Sequence, residues 1–316
     1  MWVIQNGVCV SHAHRRRCPS SRTKGCGTGR PSQAEIGVMA VRVTSLGSGS
    51  SGNALLVESG TMALLVDCGL SQRAIERQLR RYERSPADLC AIVLTHEHGD
   101  HCLSAAPLSR RHGIPIVANR PTAAALGTAL DGLVVQFLET GAHMQIGPFN
   151  IRSFAVSHDA AAPVGYTIQS AGWCVGVAID LGCWNDTQVA ALAAADLLVV
   201  EANHDRERLR TAPYSWPTKQ RIARPTGHLD NVAAGELLAR ICADGRQRTA
   251  WLAHLSQEAN SPAIAVKVVR SILRLAGCMQ VQVAALPRRA TLVWESAQHS
   301  TQLELFRDLG EYQSHE

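Results

Sequence analysis

From residue 41 onward the chain is a succession of short apolar runs, each closed by polar or glycine-rich residues. Val41-Arg42-Val43-Thr44-Ser45-Leu46 and the runs at 54–57 and 63–66 read as strands, and Leu89-Cys90-Ala91-Ile92-Val93-Leu94 reads as a buried strand. Further runs lie at 154–157, 175–179, 195–200, 250–253 and 290–294. Ala/Leu-rich helical segments at 185–194 and 262–275, and a helix at 231–241, alternate with these strands. That alternation predicts an α/β layered fold. No run of about eighteen apolar residues occurs, so no membrane span is expected.

The residues that close the runs carry the chemistry. The buried strand at 89–94 leads into Thr95-His96-Glu97-His98-Gly99-Asp100-His101, three imidazoles and a carboxylate at ligand spacing. One such loop can feed two metal ions, with His96 and His98 facing one and Asp100 and His101 the other. Imidazole and carboxylate suit zinc, and also manganese or iron. Three later runs end in the same way, at His158, Asp180 and His254. Strand ends on one side of a sheet converge, so these distant residues can share one site.

The His-x-His-x-Asp-His segment and the ordered series His158, Asp180, His254 resemble the signature of the metallo-β-lactamase superfamily. The resemblance implies an α/β fold of the four-layer αβ/βα metallo-β-lactamase sandwich type. It implies two divalent metal ions, zinc first and manganese next. His96, His98 and His158 would hold one ion, Asp100, His101 and His254 the other, with Asp180 bridging. Asp67, which closes the run at 63–66, matches an aspartate that supports the metal loop without ligating. Cys102 follows His101 and is expected to pack behind the second metal rather than to bind it. The Gly47-Ser48-Gly49-Ser50-Ser51-Gly52-Asn53 loop lacks the Lys-Ser/Thr of a phosphate-binding loop and is expected to be a tight turn between strands.

Five motifs narrow the resemblance to the YycJ/WalJ-type branch, regarded as DNA exonucleases: 48–53, 95–98, Glu201-Ala202-Asn203-His204-Asp205, Gly227-His228-Leu229-Asp230-Asn231 and His254-Leu255-Ser256-Gln257-Glu258. It spans roughly residues 40–295. Glu201 resembles the glutamate with which tRNase Z-like enzymes orient a histidine, and His228 resembles that histidine. The branch implies a metal-dependent phosphodiesterase acting on DNA in repair or replication, by attack of a metal-activated hydroxide on phosphorus. Asp100 and Asp180 would hold the ions, while His228, oriented by Glu201, binds phosphate or protonates the leaving oxygen. Alternatives are a superfamily hydrolase acting on RNA, a small phosphodiester or an ester or lactone, and a non-catalytic nucleic-acid-binding module. Glu201 and His228 speak against carbonyl substrates, and a pure binding module would not need the full ligand set. His204 is expected either to touch substrate or to lie on an exposed turn. His112, His143 and His299 have no motif around them.

Composition refines this picture at the ends. Residues 1–38 hold six Lys or Arg and one acidic residue, which leaves 25 of each for residues 39–316. The basic balance therefore belongs to the first segment, expected to be a disordered basic extension, with Met39 a sensible start. The hydrolase domain is expected over 39–296, and 297–316 is expected to be a flexible tail. Ten cysteines without a Cys-x-x-Cys pair suggest reduced thiols and a cytoplasmic protein. In the tail, Gln302-Leu303-Glu304-Leu305-Phe306 resembles the peptide by which replication and repair proteins dock on the DNA sliding clamp.

Overall fold

Alternating side-chain direction along the apolar runs sorts the chain into two seven-stranded sheets. The structure is a computed structural model that describes residues 40–298. The first sheet uses β1 (Val41–Gly47), β2 (Ala54–Ser59), β3 (Met62–Val66), β4 (Leu89–Val93), β5 (Ile116–Ala118) and β6 (Val135–Phe137). The second uses β7 (His143–Ile146), β8 (Phe149–Ala155), β9 (Val164–Ser170), β10 (Trp173–Ala178), β11 (Leu197–Glu201), β12 (Arg248–Ala253) and β13 (Val281–Ala285). The chain then returns as β14 (Leu292–Glu295) to pair with β1. The orders are β14-β1-β2-β3-β4-β5-β6 and β13-β12-β11-β10-β9-β8-β7. Each sheet is antiparallel at one side and parallel at the other, with β3 to β6 and β10 to β13 forming the parallel parts.

Parallel neighbours need crossover connections, and helices supply most of them. These are α1 (Gln72–Arg81), α2 (Gly99–Cys102), α3 (Ala105–His112), α4 (Arg120–Leu126), α5 (Asp186–Leu192), α6 (Arg206–Thr211), α7 (Trp216–Ala223), α8 (Asn231–Ile241) and α9 (Pro262–Leu275). The longest, α9, shows why the sequence makes a helix here. Ser261 caps it by accepting from the Ile264 N–H, Pro262 opens the first turn, and Ala265, Val269 and Leu273 are buried four residues apart. Helix α8 is capped by Asp230, which accepts from the Val232 and Ala233 N–H groups.

Three apolar layers make the four-layer sandwich that the resemblance implied. Val43, Val57, Leu64, Val93, Val177, Val199 and Trp251 fill the space between the sheets. Leu56, Leu65, Ile92 and Leu94 pack outward on Ile75 and Leu79 of α1 and Leu108 of α3. Leu198, Val200 and Leu252 pack outward on Leu237 and Leu238 of α8 and Val269 and Leu273 of α9. Strands β4, β11 and β12 are thus buried on both faces, which explains the apolar runs at 89–94, 197–200 and 250–253. Truncating one such leucine to alanine costs about 2–5 kcal/mol. Arg248, the largest fully buried side chain, binds the Ala193 and Ala195 carbonyls and the Asp244 carboxylate.

The helices expected at 231–241 and 262–275 match α8 and α9, and the helix expected at 185–194 is α5, shortened by its Asn185 cap. The run at 154–157 is the end of a longer strand, β8. All seven cysteines among the described residues are free thiols. No helix among the described residues is long and apolar enough to cross a membrane. Residues 1–38, His299 and the tail residues Gln302, Leu303, Leu305 and Phe306 lie outside the described residues.

Candidate metal centre

Five strands deliver side chains to one rim of the sandwich. Asp67 follows β3, His96 lies just past β4, Asp180 follows β10, Glu201 closes β11 and His254 follows β12. Asp67, Asp180 and His254 have left-handed backbones, with φ of 59°, 55° and 55°. Side chains other than glycine adopt this conformation at a cost of order 1–3 kcal/mol, and such residues cluster where the fold over-determines a site. Here each one ends a buried strand and turns its side chain toward the shared rim.

The residues singled out from the sequence come together. His96, His98, His158 and Asp180 each offer one ligand atom within 4.8 Å of one another, and Asp100, His101, His254 and Asp180 do the same. Asp180 is common to both groups. Its Oδ2 lies 3.2 Å from His96 Nε2 and 2.8 Å from His101 Nε2, and its Oδ1 lies 3.1 Å from His254 Nδ1. His98 Nδ1 and His158 Nε2 are 3.3 Å apart, as are His254 Nε2 and Asp100 Oδ2.

The donor set fits divalent cations. His96 Nε2 and Asp180 Oδ1 are buried and make no oriented hydrogen bond, despite their near neighbours. Buried polar atoms normally have partners, so such orphans mark a place for an ion. The electrostatics of the half of the cluster around His101 and His254 agree, while burial lowers the pKa of His96 and His158. Burial disfavours charge on His101, yet Asp180 and Asp67 hold its imidazole well above the ordinary range. Burial works against His254 too, but Asp180, Asp100 and Glu201 push it up to about 9. Burial would raise Asp180, yet His254 and His101 hold it well below the usual carboxylate range. Protons on these rings stand where metal charge would stand. The cluster could therefore bind divalent metal.

Neighbouring groups fix the rings. His101 Nδ1–H donates to Asp67 Oδ2 at 2.8 Å, leaving Nε2 directed at Asp180. The Thr95 N–H and hydroxyl hold the same Asp67 carboxylate. His158 Nδ1–H donates to the Gly227 carbonyl at 2.9 Å. Ser48 Oγ accepts from the His254 N–H, and Asn53 Nδ2 lies 3.0 Å from His101 Nε2. The glycine-serine loop is thus the turn expected, with Gly52 N–H on Gly49 O, and it also braces the centre. Ser48, Asn53 and Thr95 lie in motifs that carry the resemblance, but their bracing contacts were not legible, because single polar residues in a turn carry no spacing signal. Cys102 Sγ donates to Glu97 O at 3.0 Å and joins neither ligand group.

Beside this cluster, Glu201 Oε1 lies 2.7 Å from His228 Nδ1 and 3.1 Å from His254 Nδ1. Glu201 is wholly buried, and the Leu181 N–H donates to its Oε2 at 2.7 Å. Burial opposes its charge, but His228 and His254 hold the carboxyl down to about 2. Burial likewise opposes charge on His228, while Glu201 and Asp180 push it up to about 11. With Nδ1–H on Glu201, the opposite nitrogen has no hydrogen-bond partner among the described residues and is open to a ligand. His204 departs from the expectation of an exposed turn. It is 3% exposed, and its backbone forms a bridge with Asp230 that ties the end of β11 to the cap of α8. His112 Nε2 pairs with Glu76 at the surface, and the side chain of His143 is exposed on β7.

Residues 63–255 match the family model of the β-lactamase superfamily domain. Over 232 residues the chain is 37% identical to the exodeoxyribonuclease WalJ of Streptococcus pneumoniae, covering 72% of this chain and 85% of the relative. It is 33% identical over 242 residues to the exodeoxyribonuclease YycJ of Bacillus anthracis, covering 76% and 91%. Among solved structures it resembles the metallo-β-lactamase fold protein YhfI of Bacillus subtilis, with a TM-score of 0.63, 20% identity and coverage of 81% and 99%. It also resembles the short form of human tRNase Z, with a TM-score of 0.55, 17% identity and coverage of 79% and 98%.

Proposed function

The chain belongs to the β-lactamase superfamily, as a metal-dependent hydrolase of metallo-β-lactamase fold, and on that premise we propose that it is a DNA exonuclease of the cytoplasm. The observation that carries this reading is Glu201 holding His228 beside the His/Asp cluster, in a chain similar over most of its length to two exodeoxyribonucleases. Residues 39–296 carry the activity.

His96, His98 and His158 would hold one ion and Asp100, His101 and His254 the other, with Asp180 between them. Imidazole and carboxylate donors favour zinc, with manganese next. When bound, such ions lower the pKa of water and supply positive charge to phosphoryl oxygens. The chain's own residues do the rest. Asp67, Asn53 and Thr95 fix the rings so that ligand geometry is preorganised. His228, kept protonated by Glu201, presents its open nitrogen to a phosphate oxygen or gives its proton to the leaving oxygen. The tail sequence 302–306 supports the DNA sliding clamp as a partner for this activity, and repair or replication as its setting.

The reading is tested with bis(p-nitrophenyl) phosphate. Protein supplied with zinc or manganese hydrolyses this diester, and His96→Ala and Asp100→Ala lose both metal and hydrolysis. Metal-loaded wild type without phosphodiesterase activity overturns it.

A further inference from the structure

The segment between His204 and His228 stands out from the rest of the domain. Residues 204–227 hold six Lys or Arg against two acidic residues, while residues 39–316 as a whole hold 25 of each. The remainder of the domain is therefore acidic on balance, although residues 72–84 also hold five Arg against two Glu. The segment is built from α6, α7 and their connections.

It is a fixed arm seated on the rim of the metal centre. Leu209 and Ala212 are buried against Ala259, with Tyr214 and Ile222 packed behind them. Tyr214 Oη lies 3.1 Å from Ser256 Oγ, two residues past His254. Ser157 Oγ donates to Pro225 O at 2.7 Å, and Arg221 grips Asp159 at 2.7 and 3.2 Å, on either side of His158. Gly182, two residues past Asp180, lies so close to the arm that a Cβ there would stand 2.3 Å from Pro225 O. The arm thus contacts residues flanking three of the candidate ligands.

Its outer face is unusual. Trp216, in the first turn of α7, is 69% exposed. Trp251 and Trp294, by contrast, are 2% and 6% exposed. Lys219 and Gln220 follow Trp216 at three and four residues and so share its face. Arg224 lies just past the last turn. Arg206, Arg210 and Arg221 are ion-paired within the protein. Arg208 and Arg224 make no ion pair among the described residues, and Lys219 Nζ donates only to the neutral Arg210 carbonyl. An exposed indole among unneutralised cations is the arrangement that holds single-stranded nucleic acid, the ring stacking on a base and the cations meeting phosphates. In a duplex the bases are stacked on one another and no base face is available to the indole.

We propose that this arm is the single-strand grip of the enzyme, with Trp216 stacking on a base and Lys219 and Arg224 contacting the backbone of the strand that runs to the metal centre. Arg221, already held by Asp159, braces the arm. The proposal rests on the exonuclease reading and specifies how its substrate is held.

The test measures binding of a fluorescent, phosphorothioate-linked deoxyoligonucleotide single strand to the full-length, metal-loaded protein. Trp216→Ala binds about tenfold more weakly, and Trp216→Phe, which can still stack, keeps most of the affinity. Lys219→Glu with Arg224→Glu weakens binding further and makes the salt slope shallower by roughly 1.4. Trp216 and Arg224 are exposed and Lys219 is half-buried at the surface with its Nζ on the Arg210 carbonyl, so melting temperatures near wild type show that each variant keeps its fold. Wild-type affinity in both Trp216→Ala and the charge-reversed variant overturns the grip. So does a Trp216→Ala protein that changes from dimer to monomer with unchanged DNA affinity, which would assign the face to a second copy of the chain. Wild type that binds the phosphorothioate strand through Trp216 yet leaves an unmodified strand of the same sequence intact defeats the exonuclease reading and leaves the grip standing. Cleavage that is insensitive to the arm variants does the reverse.

Discussion

Glu201 Oε1 lies 2.7 Å from His228 Nδ1, joining the end of β11 to the start of the α8 cap region. The same oxygen is 3.1 Å from His254 Nδ1. One buried carboxylate therefore sets both a proposed substrate-facing ring and a proposed metal-facing ring. The two rings stack with centroids 5.2 Å apart. This shared anchor separates the roles of the two residues experimentally.

His228→Ala removes the open nitrogen and one member of the third group of potential ligands, Asp180, Glu201, His228 and His254, but none of the seven residues of the two proposed metal groups. Turnover on a phosphodiester falls by about 10²–10⁴, the range for general acid–base assistance, while bound metal stays near wild type. Glu201→Gln loses activity and also part of its metal, because His254 loses its anchor. Emission spectrometry on the purified variants checks both. Equal metal loss in His228→Ala contradicts the role given to it.

Gly69 sits where no side chain fits. A Cβ there would lie 1.7 Å from Asp100 O and 2.9 Å from Asn53 N. The Asn53 N–H donates to Asp100 O and the Cys68 N–H to His101 O, so the loop is stitched to the metal-loop backbone at this point. Gly69→Ala pushes Asp100 and His101 outward. Metal affinity falls by tenfold or more, a cost of about 1.4 kcal/mol or above, while far-ultraviolet circular dichroism stays that of a folded sandwich. Unchanged metal affinity counts against this tight approach.

Arg248 is fully buried and depends on Asp244 for its countercharge. The Arg248 hydrogen bond, acting against burial, holds the Asp244 carboxyl down to about 2, below its ordinary 3.8. A depressed carboxyl stabilises the fold above the unfolded pKa, and that contribution is lost as pH falls through the folded one. Asp244 is nearly half exposed, so screening limits the effect to about 1 kcal/mol or less. Asp244→Asn is therefore less stable than wild type at pH 7, and the difference shrinks between about pH 4 and pH 2. Urea titrations across that window measure it. A pH-independent difference would assign the effect to packing.

The tail motif gives a prediction that stands on sequence. The full-length protein binds the DNA sliding clamp, and Leu305→Ala with Phe306→Ala removes that binding by taking away the apolar plug. Calorimetric titration with and without the double substitution decides it, and identical binding ends the idea.

Much of this site was legible because ligand residues close apolar strands, and strands buried on both faces leave long, unmistakable runs. His96, Asp180 and His254 were visible for that reason, and Glu201 and His228 through their resemblance. The short or half-exposed strands β5, β6, β7 and β13 left no comparable run. The left-handed turns at Asp67, Asp180 and His254 were invisible, since glycine normally marks such positions and here carboxylate and imidazole occupy them. The arm at α6 and α7 was also missed. Its buried face is only Leu209, Ala212 and Ile222, too few for an apolar period, and Pro217 interrupts the helical pattern while serving as an N-terminal residue of α7.

The central claim is that the His/Asp cluster with Glu201 and His228 degrades DNA from its ends. Digestion of end-labelled linear duplex and single-stranded DNA by metal-supplemented protein, with His96→Ala alongside, tests it most directly. Stepwise loss of nucleotides by wild type and none by His96→Ala is the predicted result. Intact DNA under conditions where bis(p-nitrophenyl) phosphate is hydrolysed would contradict it and assign the centre to a small phosphodiester.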